Sequence, residues 1–258
     1  MKRKSIVLIL VLILSILCIT ATGCFTKNVT EEVNVANNNF AFEKVVGEVI
    51  NSTVTITCVT DNGTSGGAGV VVSSEGHILT NYHVISGARS VTVRFADAEE
   101  SEYSGLAYNA DIVSEIKDGS AYTNMDLALI KIRGSLSTKF KPVKIKTEQV
   151  KWGEYGVIIG NPKQVGSLCA HAMVSNPSRL MEHKVKVVHK TEFITLDAPV
   201  NPGNSGGGFF DSNGKLAGIV TLRQYDDSEA NKNVVFGIAF AMPANTVNKY
   251  LQRYGINL

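Results

Sequence analysis

Cysteine is scarce and poorly placed for a covalent framework. Of the four in the chain, Cys18 and Cys24 fall near the N-terminus, and only Cys58 and Cys169 remain beyond them. Two thiols are a poor disulfide scaffold for a body this size, so a Cys58–Cys169 bridge is not expected. Cys58 shares strand parity with Val54 and Ile56 and reads as a small buried hydrophobe. A charge excess is also missing: 25 Lys and Arg stand against 23 Asp and Glu. Setting aside Lys2, Arg3 and Lys4, in a segment expected to be removed, leaves 22 basic against 23 acidic residues. That balance excludes a basic nucleic-acid footprint. His183 and His189 share parity in a strand, yet no carboxylate or cysteine sits nearby at ligand spacing, so no metal site and no cofactor are expected.

Long apolar runs are limited to one, Ile6 to Ile19, shorter than the roughly 20 residues of a spanning helix. Basic residues precede it and Thr20-Ala21-Thr22-Gly23-Cys24 follow, the layout of an export signal over residues 1–23. Ala21-Thr22-Gly23-Cys24 resembles a bacterial lipobox, which implies cleavage before Cys24 and lipid attachment to it; Ala21 stands where leucine is more usual. The rival reading is an uncleaved signal anchor. Both place the rest of the chain outside the cytoplasm, at the membrane surface of a bacterial cell. Residues 24–39 are polar and asparagine-rich, a flexible tether.

With 23 glycines the remainder suits short strands and tight turns. Phe42, Val45, Val46 and Val49 have helical spacing. From Thr53 the pattern becomes short β-branched runs between turns, and the style repeats in the second half, suggesting barrels. Val247, Tyr250, Leu251 and Tyr254 lie on one helical face, and Gly255 is a stop.

The chemistry concentrates in three motifs. Thr80-Asn81-Tyr82-His83-Val84 supplies an imidazole, Met125-Asp126-Leu127-Ala128-Leu129 a carboxylate at the head of an apolar strand, and Pro202-Gly203-Asn204-Ser205-Gly206-Gly207 a hydroxyl in a glycine-rich turn. A serine nucleophile, an imidazole base and an orienting carboxylate are the parts of an acyl-transfer site. Asn62-Gly63-Thr64-Ser65-Gly66-Gly67 offers a second serine before two glycines, but it lacks the Pro-Gly-Asn approach and precedes His83, so Ser65 reads as a turn residue. Asp111 and Asp118, the rivals of Asp126, do not open an apolar strand.

Together TNYHV, DLALIKI and NPGNSGG, supported by GEYGVIIGNP and FGIAFAMP, resemble the trypsin-like serine proteases of the HtrA or Do-like branch from about Phe40 to Asn245. The resemblance implies an all-β fold of two antiparallel six-stranded barrels with a C-terminal helix, the first over residues 40–145 and the second over 146–258. It implies a serine endopeptidase with His83, Asp126 and Ser205 as its triad and the Gly203 and Ser205 N–H groups as its oxyanion hole. Its substrates would be unfolded or exported polypeptides. Family members commonly carry a PDZ domain after the protease, and none is expected here. Trimers are frequent in this branch, which makes Phe40 and Phe42 candidates for such a contact and equally for a core contact.

Two departures from the family pattern bear on mechanism. Asn204 replaces the aspartate with which digestive trypsins pair a newly cut N-terminus, and Gly208 replaces a proline, which is expected to loosen the strand leaving the site. Pro199 and Val220 do not support basic or acidic specificity; a pocket lined by Val220, Leu222 and Ile238 would accept small or medium apolar side chains. The competing reading is a catalytically silent, chaperone-like polypeptide-binding protein on the same scaffold.

Overall fold

The computed structural model describes residues 41–95, 107–114, 125–134, 141–161, 167–184, 188–226 and 233–258. The expected signal segment, Cys24, the tether, Phe40 and Asp118 lie outside these residues.

Alternation sets the first barrel. In β1 (Thr53–Thr60) the inward positions Val54, Ile56 and Cys58 are buried, as a strand with one solvated face requires. A turn at Asp61 and Asn62 leads into β2 (Gly63–Val71), where Gly63 adopts φ 122°. The sheet continues through β3 (His77–Asn81), β4 (Ser90–Phe95), β5 (Tyr108–Ile112) and β6 (Leu127–Ile132). Its order, β1-β2-β3-β6-β5-β4, closes where Val54 pairs with Phe95. Ile56, Ile78, Val93 and Ile130 fill the interior.

The second barrel uses β8 (Tyr155–Gly160), β9 (Leu168–Lys184), β10 (Val188–Asp197), β11 (Gly208–Asp211), β12 (Lys215–Asp226) and β13 (Asn233–Pro243), counted after a short strand, β7 (Lys144–Ile145). These six run β11-β8-β9-β10-β13-β12, and the β11–β12 pairing closes the ring. β7 adds to it in parallel, with Lys144 opposite Lys215 and Ile145 opposite Leu216, so the second sheet begins at Lys144, two residues before the expected boundary. Phe193, Phe209, Phe210 and Phe240 are almost fully buried; each contributes on the order of 1.5–3 kcal/mol.

Two expectations from the sequence change here. Ser65 is not a turn residue: it lies inside β2, paired with Cys58 of β1. The strand runs on through Gly66 and Gly67 because β1 supplies a complete ladder, leaving only Asp61 and Asn62 for the turn. Nor does Gly208 loosen its strand. β11 is buried throughout and paired on both sides, Gly208 lying opposite Ile159 and Ile219. A Cβ on Gly208 would stand 2.4 Å from the Phe210 ring, so that ring occupies the space a larger residue would need.

Both terminal helices pack on the second barrel. The opening helix, Phe42–Val49, buries Val45 and Val49, yet it lies against the second barrel: Val49 sits beside Gly214 of the β11–β12 turn and the Phe42 ring is 5.9 Å from that of His171 on β9. His171 in turn stacks on Tyr155 at 4.9 Å. The closing helix, Ala244–Gln252, packs on β12 and β13 of the second barrel and reaches the first through Tyr250, whose hydroxyl is 2.8 Å from Ser114 Oγ. The opening helix thus precedes the first barrel in sequence but packs on the second.

Lys146 joins β7 to this scaffold, its Nζ reaching Glu154 at 2.9 Å and Asp211 at 3.1 Å. Burial opposes its charge, but the hydrogen bonds it donates to Glu154 and Asp211 outweigh that and hold the ammonium above its ordinary pKa. Asp211 also accepts the N–H groups of Asn213 and Lys215 at 2.9 Å, fixing the β11–β12 turn. Among the described residues no helix is long and apolar enough to cross a membrane. Cys58 and Cys169 are free thiols, the first buried and the second exposed.

Candidate active site

His83 follows β3 directly, on a one-turn helix, Tyr82–Ile85, whose other side chains are buried. Burial of Tyr82, Val84 and Ile85 fixes the turn and leaves His83 as the residue facing out, its side chain 42% exposed. Asp126 immediately precedes β6, and β3 pairs with β6, with Asn81 opposite Leu127. The ladder thus delivers the two residues side by side. Asp126 is 1% exposed and takes two bonds from His83: the backbone N–H at Oδ1, 2.9 Å, and ring Nδ1 at Oδ2, 2.6 Å. A carboxylate that accepts Nδ1–H fixes the tautomer with Nε2 free to accept a proton.

Asp126 has φ 50°, the single positive value outside glycine among the described residues. A left-handed aspartate is uncommon and costs something, and such strain gathers at functional sites. Two contacts hold its carbonyl: Tyr82 N–H donates to it at 3.1 Å and Asn81 Nδ2 at 2.8 Å.

Ser205 is carried differently. Its loop is a sequence of main-chain bonds: Asn204 N–H to Asn201 O at 3.0 Å, Gly207 N–H to Asn204 O at 3.0 Å, Gly206 N–H to Val220 O at 2.8 Å, and Val220 N–H to Gly207 O at 2.9 Å. Gly203 and Gly206 adopt φ 103° and 85°, conformations open to glycine. Gly203 O accepts Asn161 N–H at 3.2 Å, and Ser205 O accepts Ala68 N–H from β2 of the first barrel at 2.8 Å. A Cβ at Gly206 would fall 2.2 Å from Ala68 O and 2.3 Å from Thr80 Oγ1. The Ser205 loop and the first barrel are in backbone contact, leaving no room for a side chain at Gly206.

Several residues of this seam escaped the sequence reading. Gly67 is one: a Cβ there would be 2.8 Å from Ser205 O and 2.7 Å from Val84. Gly67, set aside with its neighbours as a turn, is part of the surface on which the Ser205 loop rests. Thr80, whose Oγ1 donates to Ala68 O at 2.7 Å, and Thr221, whose Oγ1 donates to Ile219 O at 2.9 Å, are others. Thr221 also accepts Asn81 Nδ2 from the first barrel at 3.2 Å, a partner that no local pattern reveals.

The expected specificity pocket needs correction at Val220. Its side chain is fully buried in the core of the second barrel, with Ile194, Leu196 and Ala241. The cause is a β-bulge: Val220 pairs with Ala241 but Leu222 with Phe240, so one extra residue, Thr221, is inserted. That slip turns Val220 and Leu222, which share parity in the sequence, to opposite faces. Leu222 and Ile238 are half-buried on one face of the β12–β13 pair. Pro199 is exposed. Asp111, the rival carboxylate, is exposed and bound to Arg133 Nε at 2.8 Å, which holds it below the usual carboxylate range. His77 bonds Ser73 at 2.7 Å, and His183 and His189 are register partners in the β9–β10 ladder. Among the described residues no group of His, Cys, Asp and Glu could hold a metal ion.

Two β-barrels with a histidine and aspartate in contact on one and a glycine-bound serine loop on the other define the trypsin-like peptidase class. A family model described as a trypsin-like peptidase domain matches residues 67–219, and the chain belongs to that family. Its relatives are of HtrA or Do type. It is 35% identical over 188 residues to the protein named "Probable periplasmic serine endoprotease DegP-like" of Bartonella henselae, covering 72% of this chain and 33% of that one. It is 31% identical over 187 residues to serine protease HTRA1 of Xenopus laevis, covering 72% and 35%. The chain thus spans about a third of the length of the curated relatives it matches. Among solved structures, the HtrA-type protease AlgW with a tripeptide is similar, with TM-score 0.66, 27% identity and coverage of 82% of this chain and 62% of that chain. The serine endoprotease of Yersinia pestis is similar with TM-score 0.62, 25% identity and coverage of 83% and 66%.

Proposed function

We propose that this chain is an extracytoplasmic serine endopeptidase of HtrA type that hydrolyses peptide bonds through an acyl-enzyme. The observation that carries the reading is the 2.6 Å contact between half-exposed His83 and buried Asp126, on a barrel whose β2 bonds directly to the Ser205 loop. Ser205 Oγ attacks the scissile carbonyl as His83 Nε2 takes its proton, and Asp126 stabilises the imidazolium. The N–H groups of Gly203 and Ser205 receive the oxyanion, each such donor lowering the barrier by roughly 3–4 kcal/mol. His83 then protonates the leaving amine, and water repeats the sequence on the ester.

Substrates are unfolded or exported polypeptides, and Leu222 with Ile238 favours small or medium apolar residues before the cut. Quality control or processing of exported proteins is the corresponding role. The N-terminal signal, with lipid on Cys24 or as an uncleaved anchor, holds the enzyme at the membrane, which agrees with the periplasmic name of the Bartonella henselae relative. Assembly as a trimer through Phe40 remains part of the proposal; Phe42 has a partner in His171. The test is fluorophosphonate labelling of the full chain in detergent beside Ser205→Ala, with and without added unfolded protein. Labelling of the parent alone supports the peptidase. Absence of labelling under both conditions assigns a silent polypeptide-binding protein instead. Cleavage sites clustering after Arg or Glu would refute the apolar pocket.

A further inference from the structure

The barrel seam contains one wholly buried polar side chain that touches both halves of the site, Asn81. Its amide nitrogen faces two acceptors, Asp126 O at 2.8 Å and Thr221 Oγ1 at 3.2 Å. Thr221 Oγ1 spends its own proton on Ile219 O, so it can only accept from Asn81. The amide is thereby oriented nitrogen-first toward both. Its oxygen, Oδ1, has no hydrogen-bond partner among the described residues. A buried acceptor left unpaired is destabilising. An apolar residue would avoid that cost, so the amide's presence is explained by what its nitrogen does.

What it does is specific. Asp126 is the residue in the left-handed conformation, and its carbonyl is the atom Asn81 grips. Turning that carbonyl fixes the peptide and with it the direction of the carboxylate that meets His83. On the far side, Thr221 is the inserted residue of the β12 bulge, and the next residue back, Val220, supplies the N–H and C=O that hold Gly207 and Gly206 around Ser205. We infer that Asn81 is a positioning residue that sets the Asp126 carboxylate and locks it, through Thr221, to the strand that hydrogen-bonds the Ser205 loop. This rests on the peptidase reading for its effect on turnover, but not for its effect on His83.

Two readouts separate those claims, both on the full chain in detergent. The first is the low-field proton resonance of His83 Nδ1–H, assigned by its loss in His83→Ala. The second is the rate of fluorophosphonate acylation as a function of pH. Asn81→Ala is expected to move or broaden the resonance, to lower the acylation rate by about tenfold or more, and to shift the pH midpoint of acylation. Thr221→Val removes the cross-barrel acceptor alone; the resonance should stay as in the parent while acylation slows by about threefold. Parental resonance and parental rate in Asn81→Ala overturn the proposal. If that variant does not fold, Thr221→Val decides, and a parental rate there overturns the cross-barrel lock. A parent that fails to acylate, with a resonance still displaced by Asn81→Ala, would remove the peptidase reading and keep the positioning role.

Discussion

The two barrels hold their shares of the site by different means. In the first, side chains do it: half-exposed His83 to Asp126 at 2.6 Å, and buried Asn81 to the Asp126 carbonyl at 2.8 Å and Thr80 to Ala68 O at 2.7 Å. In the second, Ser205 hangs from main-chain bonds among Asn201, Asn204, Gly206, Gly207 and Val220, with glycines wherever the chain turns or is crowded. A side-chain network is vulnerable to exchange of its functional groups, whereas a backbone cradle is vulnerable to any added atom. The same division explains why one half of the site is spelled by chemically active residue types and the other mostly by glycine.

The largest effect expected from that contrast is at Asp126. Asparagine also tolerates the left-handed backbone, so Asp126→Asn should fold and melt close to the parent. It would present a donor to His83 and favour the wrong tautomer, which typically lowers turnover by about 10⁴-fold. Steady-state rates beside a thermal melt check this; a loss below tenfold would mean the first barrel does not act through its side chains.

Gly206→Ala should come next. The new methyl lies 2.2 Å from Ala68 O, which is backbone and cannot rotate away, and φ 85° is itself unfavourable for alanine. The loop must shift, and a displacement near 1 Å costs about a hundredfold in rate. Gly153→Ala is the control: φ is 73° with nothing within 4 Å of the added atom. It should cost only the backbone penalty, about 1–2 kcal/mol, with activity retained. Equal losses in the two variants would show that conformation rather than crowding makes the cradle.

This division also governs how far the site could be read from sequence. The pairing of His83 with Asp126 was legible because each sits in a motif whose neighbours are local: β3 leads straight into the helix bearing His83, and Asp126 immediately precedes β6. The alternation in β1 and the helical spacing of Val45 and Val49 made the fold class legible in the same way. What was lost depends on register across strands or across barrels. Val220 was placed in the pocket because parity with Leu222 holds only in an unbroken strand, and Thr221 breaks it. Gly67 looked like a turn because its crowding comes from Ser205 O, a hundred and more residues away in sequence. The opening helix's place on the second barrel and the closing helix's reach to Ser114 have no local signal at all.

Those helices give the third test. Tyr250→Phe removes the hydroxyl 2.8 Å from Ser114 Oγ but keeps the buried ring. Ser114 Oγ still has the Leu129 N–H and carbonyl as partners. The loss should therefore be near that of one hydrogen bond, about 1 kcal/mol by denaturant titration, with the acylation rate unchanged. A rate that falls with stability would mean that the closing helix sets the spacing of the two halves.

The smallest effect distinguishes the barrels by their thiols. Cys58 is buried in the first barrel, and burial pushes its pKa from 9.0 up to about 11; Cys169 is exposed on β9. A maleimide at neutral pH should modify Cys169 promptly and Cys58 only after unfolding. The same burial makes stability pH-dependent at the alkaline end alone. The thiol of the unfolded chain ionises above pH 9, and that of the folded chain does not until about 11, so within that window the folded state holds the extra proton. Stability from this group is complete below pH 9 and falls by about 1.4 kcal/mol per unit as pH rises toward 11. Cys58→Ala should flatten that part of the alkaline slope, whereas Cys169→Ala should leave it as it was. An unchanged slope in Cys58→Ala would mean that the first barrel opens enough to let its core thiol ionise, and that its side-chain network is looser than the bonds around Asp126 imply.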